Sequence, residues 1–557
     1  MIILLSCAAA LLTACQTSSA TVGQEVMNTS GGALLQEQAC FDVQNYALNL
    51  EIEPESRTIE GTLTMTAKVL EKSREIALHL DGALVVRTVQ GEIDGSMRPL
   101  EHVHRGGVIY VQTGDLLGRK GDQFRVQVAY GGTPRVAPNA PWDGGFTWSE
   151  WEGKPWFVTS CQGEGGDIWW PCKDHPSDKP ESMDLTFTVP AGLVVATNGR
   201  HIDTQLGTGS AEGKSTSRWH VSTPIANYSV ALNVGPYAEL RRSMKSVAGD
   251  EIPIHFWVLE GNEERGTKFL DEIVEHLRFF EETCGPYPFR ADKYGVVQTP
   301  HLGMEHQSII AYGNDFKGDP NFDYDWLHHH ELAHEWWGNL VTARDWSDFW
   351  IHEGIGTYMQ PLYLERKFGR EAYEEKMKID LLRVLAKSPM APRAPRTTDS
   401  IYFAQDGSDA PGGDIYFKGS WVCHSLRWYL GDETFFKVLR RWAYPDPALE
   451  GTTDGSATRF ATTDEIESIA EEVSGEELGW FFDVYVRRGP LPKLVENREG
   501  EVLSLTWETL ENLPFPMPVP ITVNGEPRRI EMGAEGATVE VGGAEVEVDP
   551  RRLLLHN

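Results

Sequence analysis

The stretch WLHHHELAHEWWGNL, residues 326 to 340, gathers four of the chain's 17 histidines into seven positions. An α-helix rises about 1.5 Å per residue with about 3.6 residues per turn, so side chains four apart share a face, one turn along. His330 and His334 meet that spacing, and two imidazoles so placed can converge on one zinc ion. Glu331, one position round, can reach a water beside the ion. His328 and His329 lie elsewhere on such a helix and lack the following Glu, so they are expected as polar helix-surface groups or as supports behind the ligands. On its own H-E-x-x-H is a moderate signal, because a catalytic zinc needs a third protein ligand and an open fourth position. Glu353, in the apolar helical stretch DFWIHEGIGTYMQ, is the candidate: eighteen residues separate it from His334, enough for a reversal and an antiparallel return.

These residues need elements to hold them. Tyr46, Leu48, Leu50 and Ile52 alternate with polar residues, and after PESRT the alternation resumes at Ile59, Leu63, Met65 and Val69, the period of a half-buried antiparallel hairpin. Short strands continue through VIYVQT, FRVQVAYGG, DLTFTVP, LVVATNG and YSVALNVGPY. Near Gly266 the period changes: TKFLDEIVEHLRFFEETCG places Leu270, Ile273, Val274, Leu277 and Phe280 on one helical face, with Gly285 beyond its end. After RRGPLPKL strands return. The fold class expected is therefore multidomain α+β: an all-β N-terminal domain over 36–240, a mainly α catalytic domain over 241–488 and a small β-sandwich over 489–557.

At 557 residues the chain should divide into about three or four domains. Its 82 acidic against 50 basic residues give a net charge of −32, which disfavours nucleic acid and anionic lipid as partners. The opening MIILLSCAAALLTACQTSSA resembles a bacterial lipoprotein signal, with cleavage before Cys15 and acylation of that cysteine, although no Lys or Arg precedes its apolar run. A signal over 1–15 and a flexible tether over 16–35 are expected, with the body facing the periplasm in a bacterial cell envelope; a plain secretory signal is the alternative. Of the remaining cysteines, Cys161 and Cys172 are a possible pair, and two separate buried thiols serve as well.

HELAHEWWGNLVTARDWSDFWIHEG resembles the gluzincin zinc aminopeptidases, the family of aminopeptidase N and the leukotriene epoxide hydrolase. Trp336, Gly338, Asn339, Val341, Thr342, Trp346, Trp350 and Gly354 all fall in register with H-E-x-x-H-x-W-x-G-N-x-V-T…W…W-x-x-E-G. GPYPF followed by LGMEHQS resembles the family's G-x-M-E-N, with Gly303 and Met304 leading to Glu305; TSCQGEGGDIWWPCKDHPS resembles the segment that lends a Gln from the N-terminal domain, here Gln162; IYFKG resembles Y-x-K-G, here Tyr416. The resemblance covers nearly everything after residue 36. It implies a β-saddle domain, a thermolysin-like catalytic domain and a β-sandwich. The function it implies is a zinc aminopeptidase for peptides with a free N-terminus, in which His330, His334 and Glu353 hold one Zn²⁺ and Glu331 is the base. Tyr416 would stabilise the transition state, and Glu305, with Gln162, Gly303 and Met304, would bind the substrate's amino end.

Three departures from the family pattern stand out. His306 replaces the Asn of G-x-M-E-N. Gln360 stands where the family carries an acid that accepts a proton from a zinc-bound imidazole; an amide oxygen can still orient that ring, but would raise its basicity less. The C-terminal helical domain of larger members is expected to be missing, with a more open chamber. An endopeptidase of the same chemistry is disfavoured by GMEH, and a catalytically silent peptide-binding lipoprotein by the intact ligand and base set.

Overall fold

The computed structural model describes residues 29–209, 212–402 and 410–557. Cys7, Cys15 and the expected signal lie outside the described residues. The alternating N-terminal stretches form the expected hairpin: Phe41–Glu53 runs antiparallel to Thr58–Val69, with Leu48 opposite Leu63 and Tyr46 opposite Met65. Period two sends Tyr46, Leu48, Leu50 and Ile52 to one face, and each is buried. This hairpin is central in an eight-stranded sheet, where Phe41–Glu53 also pairs in parallel with Ser182–Pro190. A four-stranded sheet, made of Val194–Thr197, Leu232–Gly235, Lys154–Ser160 and Gly145–Trp151, carries the segment that leads into Gln162.

The strand Tyr237–Lys245, which straddles the division expected at residue 240, hydrogen-bonds along its whole length to Glu251–Leu259. That strand in turn pairs in parallel with Tyr294–Gln298, and the sheet closes with Ile310–Tyr312 and Gly303–Met304. Parallel pairing needs a crossover, and the helix Glu263–Cys284 supplies it with the expected apolar face inward: Leu270, Ile273, Leu277 and Phe280 are buried. The C-terminal residues form two three-stranded sheets over a small core of their own, built around Leu494, Leu503, Leu505, Val519 and Ile521. Among the described residues, no helix is long and apolar enough to cross a membrane.

The β domain and the catalytic domain are fastened by buried polar groups. Lys179 Nζ donates to the Asn339 carbonyl (2.7 Å), Asn198 Nδ2 to the Gln307 carbonyl (2.7 Å), and Lys293 Nζ to the Thr197 carbonyl (2.9 Å). Residues 29–35, expected as the end of the flexible tether, are not free: Gly31 bridges to Thr397 and Ser30 is buried, because their backbone groups find partners on both domains. The five cysteines from Cys40 onward are buried free thiols, so Cys161 and Cys172 take the second of the two expectations.

Candidate metal centre and active site

The helix Trp326–Ala333 begins where Asp325 accepts the His328 N–H (2.9 Å) and ends one residue before His334, which occupies its C-cap. His330 and His334 still face one way, with Nε2 atoms 3.4 Å apart. The chain then turns through Gly338 and returns by a strand, Val341–Ala343, and a 3₁₀ turn, Trp346–Asp348. The motif's tryptophans lock this return: Trp336 Nε1 donates to the Gly285 carbonyl (3.1 Å) and Trp350 Nε1 to Thr463 Oγ1 (2.8 Å). Glu353 stands on the first turn of the helix Trp350–Phe368. Its Oε2 lies 3.5 Å from His330 Nε2 and 3.4 Å from His334 Nε2.

Three ligand atoms separated by 3.4–3.5 Å form a nearly equilateral triangle. Ligand atoms about 2.0–2.1 Å from a tetrahedral zinc stand about 3.3–3.4 Å apart, so these residues fit zinc without rearrangement. Glu353 Oε2 has no hydrogen-bond donor of its own, as a ligand oxygen should. His334 Nδ1 lies 2.9 Å from the Trp337 carbonyl; donating there fixes the tautomer and turns the Nε2 lone pair toward the triangle.

The electrostatics agree. Burial alone would lower His334, but Glu353, Glu305 and Glu331 outweigh it and push the imidazole up to about 10. Burial would raise Glu353, but His334 and His330 hold its carboxyl below the usual range. Burial pushes Glu331 well above that range and Glu305 up to about 7. Three carboxyl groups crowd two imidazoles in a buried site, and a dication held there would favour their charged forms.

Glu331 extends beside the Gly303–Met304 strand, where a Cβ on residue 303 would sit 2.3 Å from Glu331 Oε1. Gly303 therefore makes room for the candidate base, and Met304 is buried in the strand that leads into Glu305. Glu305 Oε1 accepts from Gln162 Nε2 and from the Tyr228 hydroxyl (3.3 Å). Gln162 thus arrives from the N-terminal domain as the resemblance implies. Tyr416 precedes the helix Phe417–Leu430, and its ring stacks over His330 with centroids 6.1 Å apart.

Of the two places expected for His328 and His329, the helix surface is excluded: both are wholly buried, His328 between Tyr294 Oη (2.8 Å) and His276 Nδ1 (2.9 Å), His329 against Phe280 and Tyr363. Only Trp326 and His330 of this helix are partly exposed, so the faces that carry His328 and His329 meet no water. Nor does Gln360 orient a ligand imidazole among the described residues; its amide nitrogen donates to the Trp326 carbonyl (3.3 Å), and a main-chain carbonyl, that of Trp337, takes the His334 proton instead. His306 is wholly buried, and burial lowers its ring to about 3.

Tyr402, like the Tyr228 that meets Glu305, escapes sequence reasoning. The Tyr402 hydroxyl lies 3.1 Å from Glu353 Oε1, 3.1 Å from Gln162 Oε1 and 3.3 Å from the Tyr416 hydroxyl. The only sequence signal is a repeat: Ile-Tyr-Phe occurs at 401–403 and again at 415–417.

Comparison with known proteins agrees with this geometry. The pattern described as Peptidase M1 N-terminal domain matches residues 43–228, and that described as Peptidase family M1 domain matches residues 270–483. Leucine aminopeptidase 2 of Aspergillus niger is 31% identical over 222 residues, 39% of this chain and 34% of its own. Aminopeptidase M1-D of Oryza sativa is 24% identical over 368 residues, 64% of this chain and 39% of its own. The chain thus spans between a third and two fifths of the length of these relatives. A crystal structure of an M1 zinc metallopeptidase mutant from Deinococcus radiodurans, bound to a Tyr-Ser-Ala substrate, superposes with a TM-score of 0.62 at 23% identity, covering 81% of this chain and 95% of that one, a likeness of fold. With both domain patterns present in order and the zinc-ligand triangle formed, the chain belongs to peptidase family M1.

Proposed function

We propose that the protein is a zinc-dependent aminopeptidase that removes residues from the free amino end of peptides. The observation that carries this reading is the pairing of the His330–His334–Glu353 triangle with a buried carboxylate, Glu305, that belongs to neither the triangle nor the base. When bound, zinc supplies a Lewis acid that acidifies water and polarises a peptide carbonyl. Glu331 takes the proton released by water and hands it to the leaving amine. The Tyr416 hydroxyl donates to the carbonyl oxygen as it gains charge. Glu305, braced by Gln162, pairs with the α-ammonium of the peptide and so sets the first peptide bond over the centre. A blocked or internal residue offers no cation and leaves that acid unpaired, which disfavours an endopeptidase.

The relatives' names, leucine aminopeptidase and aminopeptidase, agree with this chemistry. A silent peptide-binding protein is the weaker reading, since all three ligands and the base are present. The lipoprotein-type signal around Cys15 supports a lipid anchor and a periplasm-facing location in the bacterial envelope.

The test compares aminoacyl arylamides with their N-acetylated forms, with and without a chelator, for the parent and Glu305→Ala. Free-amine substrates should be cleaved, blocked ones spared, and chelated enzyme silent until zinc is restored; Glu305→Ala should erase the preference. Equal cleavage of free and blocked substrates sinks the aminopeptidase reading.

A further inference from the structure

Residues 29–32 bind both domains at once. The Ser30 N–H donates to the Gly163 carbonyl (3.1 Å), while the Ser30 carbonyl accepts from the Thr398 N–H (3.1 Å). The Gly32 N–H donates to the Arg396 carbonyl (3.1 Å), and the Thr29 hydroxyl donates to the Asp399 carboxylate. Between them Gly31 sits at φ +87°, with Trp346 Cδ1 2.1 Å from where a Cβ would stand. Only glycine fits that position without displacing the indole.

The segment so held leads straight into the metal centre. Thr398 is 1% exposed; its hydroxyl donates to the Gly163 carbonyl and its own carbonyl accepts the N–H groups of Ile401 and Tyr402 (3.0 Å each). Gly163 is the neighbour of Gln162, whose amide oxygen meets the Tyr402 hydroxyl. Tyr402 is therefore fixed at both ends, by Thr398 at its backbone and by Glu353 at its phenol, with the Gln162 amide oxygen beside it. Glu353 turns Oε2 to the imidazoles and Oε1 to Tyr402. A phenol carries one proton; given to Oε1, it fixes the rotation of the carboxylate and leaves the oxygen lone pairs to accept from Tyr416.

We infer that Tyr402 is a positioning residue of the metal centre, aiming Glu353 and Tyr416, and that Thr29–Gly32 is the strap that keeps it there. This rests on the zinc reading proposed above. Groups that orient metal-bound ligands change affinity or activity by about 10–100-fold when removed.

The experiment uses the full chain with Tyr402→Phe, Gly31→Val and Thr398→Val. The last keeps its side-chain shape should Gly31→Val fail to fold. Zinc affinity is read by competition with a chelating dye, hydrogen exchange over 396–402 is followed in the metal-free protein, and kcat and KM are measured on an arylamide. Tyr402→Phe should weaken zinc binding by about 10–100-fold and lower kcat with KM little changed. Each strap variant should speed exchange over 396–402 and weaken zinc in the same sense, and a strap variant combined with Tyr402→Phe should bind zinc no more weakly than the weaker single variant. Zinc affinity in Tyr402→Phe equal to the parent's overturns the positioning role. Unchanged exchange in both strap variants overturns the strap. A parent that cleaves no arylamide while Tyr402→Phe still loses zinc would sink the aminopeptidase reading and leave this one standing.

Discussion

Glu331 is the side chain whose role is most exposed to a single substitution. It is buried beside Gly303 and is no part of the ligand triangle, so Glu331→Gln should keep its zinc while losing the proton acceptor. Positioned proton transfer contributes about 10²–10⁴-fold, and kcat should fall by at least that much with metal stoichiometry, measured by atomic absorption, unchanged. Loss of the metal with the activity would mean that Glu331 holds the ion rather than the proton. At this scale the sequence was readable where spacing along one chain segment fixes geometry: His330 and His334 by the helical repeat, Glu353 by the length of a return. It was unreadable where burial decides. His328 and His329 lie on the same helix yet in an aromatic core, because the faces that carry them are packed against neighbours that the local sequence does not name. Tyr402 reaches Glu353 from 49 positions away, a distance in sequence that no local period encodes.

Among the elements, the helix carrying Glu353 and the helix following Tyr416 touch backbone to backbone. A Cβ on Gly354 would stand 2.9 Å from Gly419 Cα, and one on Gly419 would stand 2.7 Å from Gly354 Cα. These two letters of the family pattern thus bring Tyr416 up to the ligand helix, which the motif alone could not reveal. Gly419→Ala should force the helices apart, costing about 1–3 kcal/mol in urea unfolding and lowering kcat more than zinc affinity, since Tyr416 moves with its helix. Unaltered stability and turnover in that variant would show that the contact tolerates a methyl group. The helix Glu263–Cys284 was legible from its period, whereas the sheet order that sets Gly303–Met304 at the edge, against the helix Trp326–Ala333, was not: period two marks a strand without naming its partner.

Across the whole molecule, the C-terminal sandwich docks on the catalytic domain through His424, whose Nδ1 meets the Tyr373 hydroxyl (2.5 Å) and whose Nε2 meets the Arg552 carbonyl (3.0 Å). Burial lowers this imidazole from 6.5 to about 4, against a smaller upward pull from the Arg552 carbonyl. The folded value lies below the unfolded one, so between the two the unfolded chain binds more protons; the stability His424 contributes is complete above 6.5 and drains away as pH falls toward 4. Relative to His424→Gln, the parent should lose up to about 1.4 kcal/mol per pH unit across that window, read from urea midpoints at its two ends. A constant difference between the two proteins would mean that the ring titrates alike folded and unfolded. The order of the domains followed from changes of period along the chain, but the bonds that join them are between residues far apart in sequence. Those joints also bear on the site. The buried Nζ of Lys179 and the amide of Asn198 tie the module that lends Gln162 to the catalytic domain, so Gln162 and Glu305 are held in place relative to each other. Under the aminopeptidase reading proposed above, the amino end of a substrate would then meet a socket already assembled from two domains, rather than one that must gather around it.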